Sequence, residues 1–269
     1  FAKWEEAKEG HRRHLEQSRQ LEEEGELDLL IWPESAYVAN LPRRVPWSAA
    51  KVRGDLKSPM LFGGVSVERV DGQKRIYNTV FSMDAEGIVR STYDKTFLLM
   101  FGEYLPLGET FPFLYELSPN SGHFTKGSHV RPVTFGEWRI STPVCYEDIL
   151  ARFTREMVRE AKPHVLINLT NDAWFGDSQE PWIHLLLSKY RAIEHRRYLV
   201  RSTNSGVSAV IDPLGRVVAR TGLMTRENLR AEIRMLEQDT IYTALGDWPG
   251  WLSFLLLAWM LIQRRNAAQ

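Results

Sequence analysis

The sequence contains a single cysteine, Cys145. That excludes an intrachain disulfide framework and any cysteine-rich zinc site. Charge of one sign is also lacking: Lys+Arg and Asp+Glu both number 34, so no global field argues for a nucleic-acid partner. His164, His184 and His195 do not share metal-ligand spacing, and His11 and His14 fall on a charged helical stretch. All five are expected to be structural or surface histidines, with no metal site. Gly63-Gly64 is not followed by a G-x-x-x-x-G-K pattern, so it is not a phosphate loop. Arg191, Arg196, Arg197 and Arg201 are expected to form ion pairs or a solvated face, with headgroup contact as a minor reading. Short repeats and low-complexity segments are absent, and the chain does not open with the apolar core of a secretory signal. It opens at Phe1 within a helical pattern, and the native N-terminus is expected to lie upstream.

A length of 269 residues with 43% hydrophobic content suits one large α/β domain with an appendage. Residues 2–26 read as a surface helix with a modest apolar stripe through Trp4, Ala7, His11, Leu15, Ser18 and Leu21. Leu27–Trp32 is a continuous apolar run that fits a buried strand, closed by Pro33-Glu34-Ser35. A helix is expected over 45–57, then strands over 60–68 and 76–83 joined at Asp71-Gly72, and a further strand over 88–93. From Asp94 to about Gly127 the prolines and glycines exclude one long helix, and so long a connection is usually functional. A second hairpin, 130–135 with 138–144, delivers Cys145; a helix over 149–161 and a strand over 165–169 follow. Beyond these come a helix over 184–195 and strands over 198–202, 207–211, 217–220 and 229–235. Alternating strands and helices mixed with hairpins predict an α/β fold of two mixed sheets flanked by helices.

The tail, Trp248–Ile262, carries no charge and is followed by Gln263-Arg264-Arg265. As a helix these residues would cover about 22 Å against a hydrocarbon core of about 30 Å. With tryptophans near both ends and arginines beyond, it is expected to enter and span a membrane, with the rest of the chain on the side opposite Arg264 and Arg265. This divides the chain into a catalytic domain, 1–243, and a membrane helix with a basic tail, 244–269.

Glu34, Lys95 and Cys145 stand at or just past strand ends. Acyl transfer needs these three kinds of group: a thiolate to attack, a carboxylate to take its proton, and a cation for the oxyanion. Taken singly, each has a bland reading as a turn carboxylate, a surface ion pair or a buried small hydrophobe.

Trp32-Pro33-Glu34, Tyr93-Asp94-Lys95 and Cys145-Tyr146-Glu147, with the block Asn168 to Phe175, resemble the Glu–Lys–Cys pattern of the nitrilase superfamily over nearly the whole chain. Phe101-Gly102-Glu103-Tyr104-Leu105-Pro106 and the apolar tail resemble the apolipoprotein N-acyltransferase branch. The resemblance implies a nitrilase-like α-β-β-α sandwich, here lacking the family's first strand, and a C-terminal portion of a longer membrane enzyme. It implies Cys145 as the acylated nucleophile, Glu34 as general base, Lys95 as oxyanion partner, and Glu103, Tyr146 and Glu147 as supporting residues. It implies no cofactor. The donor would be a phospholipid, the acceptor the N-terminal amine of a diacylglyceryl-modified apolipoprotein, and the site the outer face of the bacterial inner membrane. The family's histidine and proline after the lysine are replaced here by Phe97 and Met100. The apolar side chains between Phe97 and Tyr115 exceed what a solvated loop carries and are expected to cover the site or meet lipid. A small-amide hydrolase, an inactive tethered binding domain and a dimerisation role for the tail are the alternatives.

Overall fold

The structure, a computed structural model, describes residues 2–119 and 121–267, with side chains described from Glu5 to Asn266. Phe1 and the side chain of Trp4 lie outside that description. Among the described residues, twelve strands form two six-stranded sheets. The first contains β1 (Leu30–Ile31), β2 (Tyr37–Pro42), β3 (Trp47–Ser48), β4 (Met60–Val70), β5 (Gln73–Met83) and β6 (Ile88–Asp94). Its order is β1-β4-β5-β6-β3, and β2 pairs with β4 in parallel. The second sheet runs β12-β11-β10-β9-β8-β7. Its strands are β7 (Val133–Phe135), β8 (Trp138–Ser141), β9 (Val165–Asn171), β10 (Leu199–Asn204), β11 (Ala209–Ile211) and β12 (Val217–Arg220). Strands β8, β9 and β10 are parallel, and the flanks are antiparallel.

Alternation along the strands sorts side chains into layers, because successive Cβ atoms leave a strand on opposite faces. Met60, Phe62, Phe81 and Met83 pack with Leu15 and Leu21 of helix α1 (Ala2–Glu23) and Val52 of α2 (Ala50–Arg53). Their intervening neighbours Leu61 and Val80 instead meet Ile140, Val165, Ile167 and Leu169 of the second sheet. Leu166, Leu199, Ala209 and Ile211 turn the other way, toward Val158 of α4 (Ala151–Ala161) and Leu185 and Ala192 of α5 (Glu180–His195). The result is helix, sheet, sheet, helix. Both expected mixed sheets are present, in a nitrilase-like α/β arrangement.

Several local expectations are corrected. The helix expected over 45–57 shrinks to α2, because Trp47-Ser48, directly after Pro46, are drawn into β3 and Gly54 ends the helix at φ 62°. Strand β2 was not anticipated. Residues 229–235 form no strand; they run extended, with Ile233 and Met235 packed on the inter-sheet core. Their apolar periodicity reflects that packing rather than a hydrogen-bonded ladder. His14 is half-buried and stacked on Trp32 at 5.2 Å, so α1 is anchored by aromatic contact as well as its stripe. The basic cluster is no solvated face: Arg197 and Arg201 are fully buried and Arg191 is nearly so.

The segment after Lys95 is irregular except for α3 (Phe113–Leu117). It leaves Phe97, Leu99, Met100, Phe101, Leu107, Phe111, Phe113 and Leu117 exposed. Helix α6 (Ile241–Leu245) leads to α7 (Trp248–Ala267), whose apolar side chains are exposed on every face. Among the described residues no helix is long and apolar enough to cross a membrane. The expected spanning helix therefore finds no support among the described residues: the uncharged run is short, and Gln263-Arg264-Arg265 follow it in the same helix with strongly polar groups.

Candidate active site

Glu34 enters from the turn after β1, where Gly63 makes the approach possible. A Cβ on Gly63 would stand 2.6 Å from the Glu34 Cα and 2.6 Å from the Pro33 carbonyl oxygen. Ser35, immediately after, sits at φ 56°. Glu34 is buried, and its Oε1 accepts from Asn78 Nδ2 at 2.6 Å. Burial pushes its carboxyl above the usual carboxylate range, although Lys95, Asn78 and the Asn171 backbone N–H pull the other way.

Lys95 follows the last residue of β6 and is 3% exposed. Its Nζ lies 2.8 Å from Glu103 Oε2 and 3.8 Å from Glu34 Oε1. Burial alone would lower its pKa, but the charges of Glu34 and Glu103 and the hydrogen bond to Glu103 push the other way, and the net direction is upward. Glu103 is fixed in turn, accepting from the Leu99 backbone N–H at 2.9 Å and from Asn78 Nδ2 at 3.1 Å. One amide thus steadies both carboxylates that flank the lysine.

Cys145 opens a 3-10 turn, Cys145–Ile149, with its own backbone at φ 52°. A non-glycine residue in that region carries strain that surrounding structure must hold. Asn168 on β9 supplies part of the hold, donating Nδ2 to the carbonyls of Pro143 and Cys145, each at 3.0 Å. Burial and the Glu34 charge push the thiol up to about 12, against the pull of Lys95, Thr170 and the Tyr146 backbone N–H. Cys145 therefore rests as a thiol, and Glu34 is the buried carboxylate whose charge acts on it.

Glu147 is fully buried and ties the turn to the strand bearing Lys95. Its carboxylate accepts the backbone N–H groups of Val144 at 2.8 Å, Thr96 at 2.7 Å and Phe97 at 2.7 Å. Burial drives its carboxyl up to about 7 in spite of those donors. Tyr146 points away from this link: its hydroxyl bonds Glu180, and its ring stacks on His184 at 4.7 Å.

All six residues expected from sequence are accounted for. Glu34, Lys95, Glu103 and Cys145 converge; Glu147 braces two of their backbones; Tyr146 flanks the turn. Asn78, Asn168 and Gly63 were not singled out for this role. The available signal was a polar residue inside an apolar strand, as in Ile76-Tyr77-Asn78 and Ile167-Asn168-Leu169. Among the described residues no group of three or more His, Cys, Asp or Glu side chains is placed to hold a metal ion. With a base, a buried cation and a thiol together, the site has the groups needed for acyl transfer through a thioester.

A family model described as carbon-nitrogen hydrolase matches residues 2–240. The protein named apolipoprotein N-acyltransferase from Geobacter metallireducens is 36% identical over 234 residues, covering 84% of this chain and 44% of that protein. Its namesake from Bradyrhizobium diazoefficiens is 35% identical over 254 residues, covering 89% and 45%. The chain thus spans less than half the length of these curated relatives. Among solved structures, a cysteine-to-alanine mutant of the Nesterenkonia AN1 amidase from the nitrilase superfamily superposes with a TM-score of 0.57. It shares 20% identity, with 81% of each chain covered. Glutamine-dependent NAD+ synthetase from Acinetobacter baumannii gives a TM-score of 0.60 at 14% identity, covering 82% of this chain and 41% of that one.

Proposed function

The chain belongs to the carbon-nitrogen hydrolase family, and from that premise we propose that it is the catalytic portion of an apolipoprotein N-acyltransferase. Relatives bearing that name support the acyltransferase reading. The observation that carries the lipid step is the apolar surface exposed directly after Lys95, from Phe97 to Leu117. A soluble small-amide hydrolase has no use for so much unsatisfied apolar surface beside its site.

In this reading Cys145 Sγ attacks the carbonyl carbon of a phospholipid acyl ester while Glu34 takes the thiol proton. Lys95 Nζ and the Tyr146 backbone N–H stabilise the oxyanion. Collapse breaks the ester C–O bond, Glu34 returns its proton to the leaving alkoxide, and a lysophospholipid departs from an acyl thioester. The N-terminal amine of a diacylglyceryl-modified apolipoprotein then attacks that thioester, giving up a proton to Glu34. The amide forms, and the thiol is regenerated. Glu103 and Asn78 keep Lys95 and Glu34 in register, and Glu147 and Tyr146 support the turn. The loop after Lys95 excludes water from the thioester.

Residues 1–243 form the catalytic unit in this account, and 244–269 the membrane-contacting appendage. Helix α7 is apolar all round with tryptophans near both ends, which suits immersion in lipid without a crossing. The site is placed at the outer face of the bacterial inner membrane. The expectation that the rest of the chain lies on the side opposite Arg264 and Arg265 needs a crossing, for which no helix among the described residues is long and apolar enough.

The reading is tested by offering phospholipid vesicles and a diacylglyceryl-cysteine peptide to the full chain. Transfer of an acyl chain to the peptide amine supports it. Hydrolysis of small amides with no such transfer favours the hydrolase alternative.

A further inference from the structure

Behind the Cys145 turn lie four buried charges that the proposed chemistry does not use. His184, on α5, has Nε2 at 3.0 Å from Asp148 Oδ1 and Nδ1 at 3.1 Å from Asp172 Oδ1. Arg201 on β10 donates Nη1 to Asp148 Oδ2 at 2.6 Å, and its Nη2 lies 3.7 Å from Asp172 Oδ2. None of the four side chains has any exposed surface. Carboxylates only accept, so both ring nitrogens must carry a proton for both contacts to be hydrogen bonds. With the ring doubly protonated, two cations balance two anions. A neutral ring would set a lone pair against one carboxylate and leave a buried negative charge uncompensated.

The two carboxylates belong to the two turns that build the site. Asp148 lies in the same 3-10 turn as Cys145. Asp172 follows Thr170, whose hydroxyl bonds Cys145, and Asn171, whose backbone N–H reaches Glu34. Asp172 Oδ1, 3.2 Å from Thr170 Oγ1, is the alternative acceptor for that hydroxyl's one proton. Gly206 closes the far side, since a Cβ there would come within 2.4 Å of Asp172 Oδ2. The Tyr146 ring lies flat on the imidazole, with 14° between their planes.

We infer that His184 is a positioning residue: a buried imidazolium clamped between Asp148 and Asp172, it locks the nucleophile turn against the turn that touches the base. It contacts no substrate. Asp148, Asp172, Arg201 and the Tyr146 ring are the groups that face it. Burial and Arg201 push its pKa down, Asp148 and Asp172 outweigh them, and the net direction is upward. The two carboxylate contacts favour the charged ring, and the clamp opens as the pH rises past the imidazolium's own pKa, which lies above that of an ordinary imidazole.

The inference rests on Cys145 being the nucleophile, and two measurements on the full chain test it. The first is an NMR titration of the His184 ring nitrogens. Both are expected to read as protonated at about pH 7, and a neutral ring there overturns the clamp. The second follows alkylation of Cys145 by iodoacetamide between about pH 5.5 and 9 for the wild type, His184→Gln and the double variant His184→Gln/Asp172→Asn. The rate in every variant is expected to climb with pH as the thiol, pushed up to about 12, ionises. His184→Gln should be slower than the wild type by about 10- to 100-fold at neutral pH, since small displacements at a site cost rates of this order, and that gap should close on the alkaline side as the wild-type clamp opens. The double variant restores charge balance and should recover part of the loss. A folded His184→Gln whose rate and pH profile match the wild type overturns the inference. A wild-type Cys145 that never alkylates counts against the nucleophile itself, and the NMR titration still decides the clamp.

Discussion

The Tyr93 hydroxyl stands 3.0 and 2.9 Å from the two carboxylate oxygens of Glu147. Tyr93 is two residues before Lys95 on the first sheet, and Glu147 is two residues after Cys145 beside the second. The contact crosses the sandwich and ties the strand that leads to Lys95 to the turn that holds Cys145. Burial and the neighbouring Glu147 charge keep the phenol protonated well above its usual range, so it remains a donor. Tyr93→Phe should cost about 1–2 kcal/mol in stability, as expected for a hydrogen bond to a charged group, with a modest loss of thioester formation. Glu147→Gln should cost far more activity, because a carboxylate accepting three backbone N–H groups cannot be matched by an amide. Denaturant unfolding and single-turnover acylation measure both. Equal effects of the two substitutions would contradict the bracing role.

Gly63→Ala tests the backbone approach that admits Glu34. The added methyl would have to move the Pro33-Glu34 chain, since the two closest atoms are backbone. Acylation of Cys145 should fall by about 10²-fold, the order that a misplacement near 1 Å produces. An unchanged rate would show that the turn has slack that the packing here does not allow.

The thiol has a pH signature. Cys145 is pushed up to about 12 from an ordinary value near 9. An acid with a raised folded value stays protonated in the folded state while the unfolded chain ionises. Its contribution to stability is therefore present below about pH 9 and is lost as pH rises toward about 12. Thiolate absorbance of the native protein should show no step through about pH 10, while the unfolded chain titrates near its ordinary value. A native step near 9 would contradict the burial and charge environment described.

Deleting residues 248–269 should leave the catalytic unit folded. Helix α7 is exposed along its length, whereas α6 is held by Arg155, which donates to the carbonyls of Tyr242, Thr243 and Ala244. The melting temperature should change little. Co-sedimentation with phospholipid vesicles should fall sharply, and undiminished sedimentation would remove α7 from the membrane account.

What was legible in the sequence was chemistry at strand ends. Glu34, Lys95 and Cys145 each stand at or just past the end of an expected strand. Asn78 and Asn168 were harder to see, because a polar residue in a strand shows its purpose only when its partner strand and turns are present. His184 gave no signal: its two partners lie 36 and 12 residues away, and only the packing of α5 on the second sheet brings them together. Residues 229–235 misled because extended packing on a core produces the same apolar alternation as a paired strand. The tail's composition announced an apolar helix, which is present as α7 with its side chains exposed.

The central claim is that Cys145 carries the acyl group. The most direct measurement incubates the full chain with a phospholipid of defined acyl chains, quenches in acid, and determines the mass of the peptide containing Cys145. The account predicts an added acyl mass on Cys145, sensitive to hydroxylamine and absent in Glu34→Gln. An unmodified Cys145 in protein that is releasing lysophospholipid would contradict it.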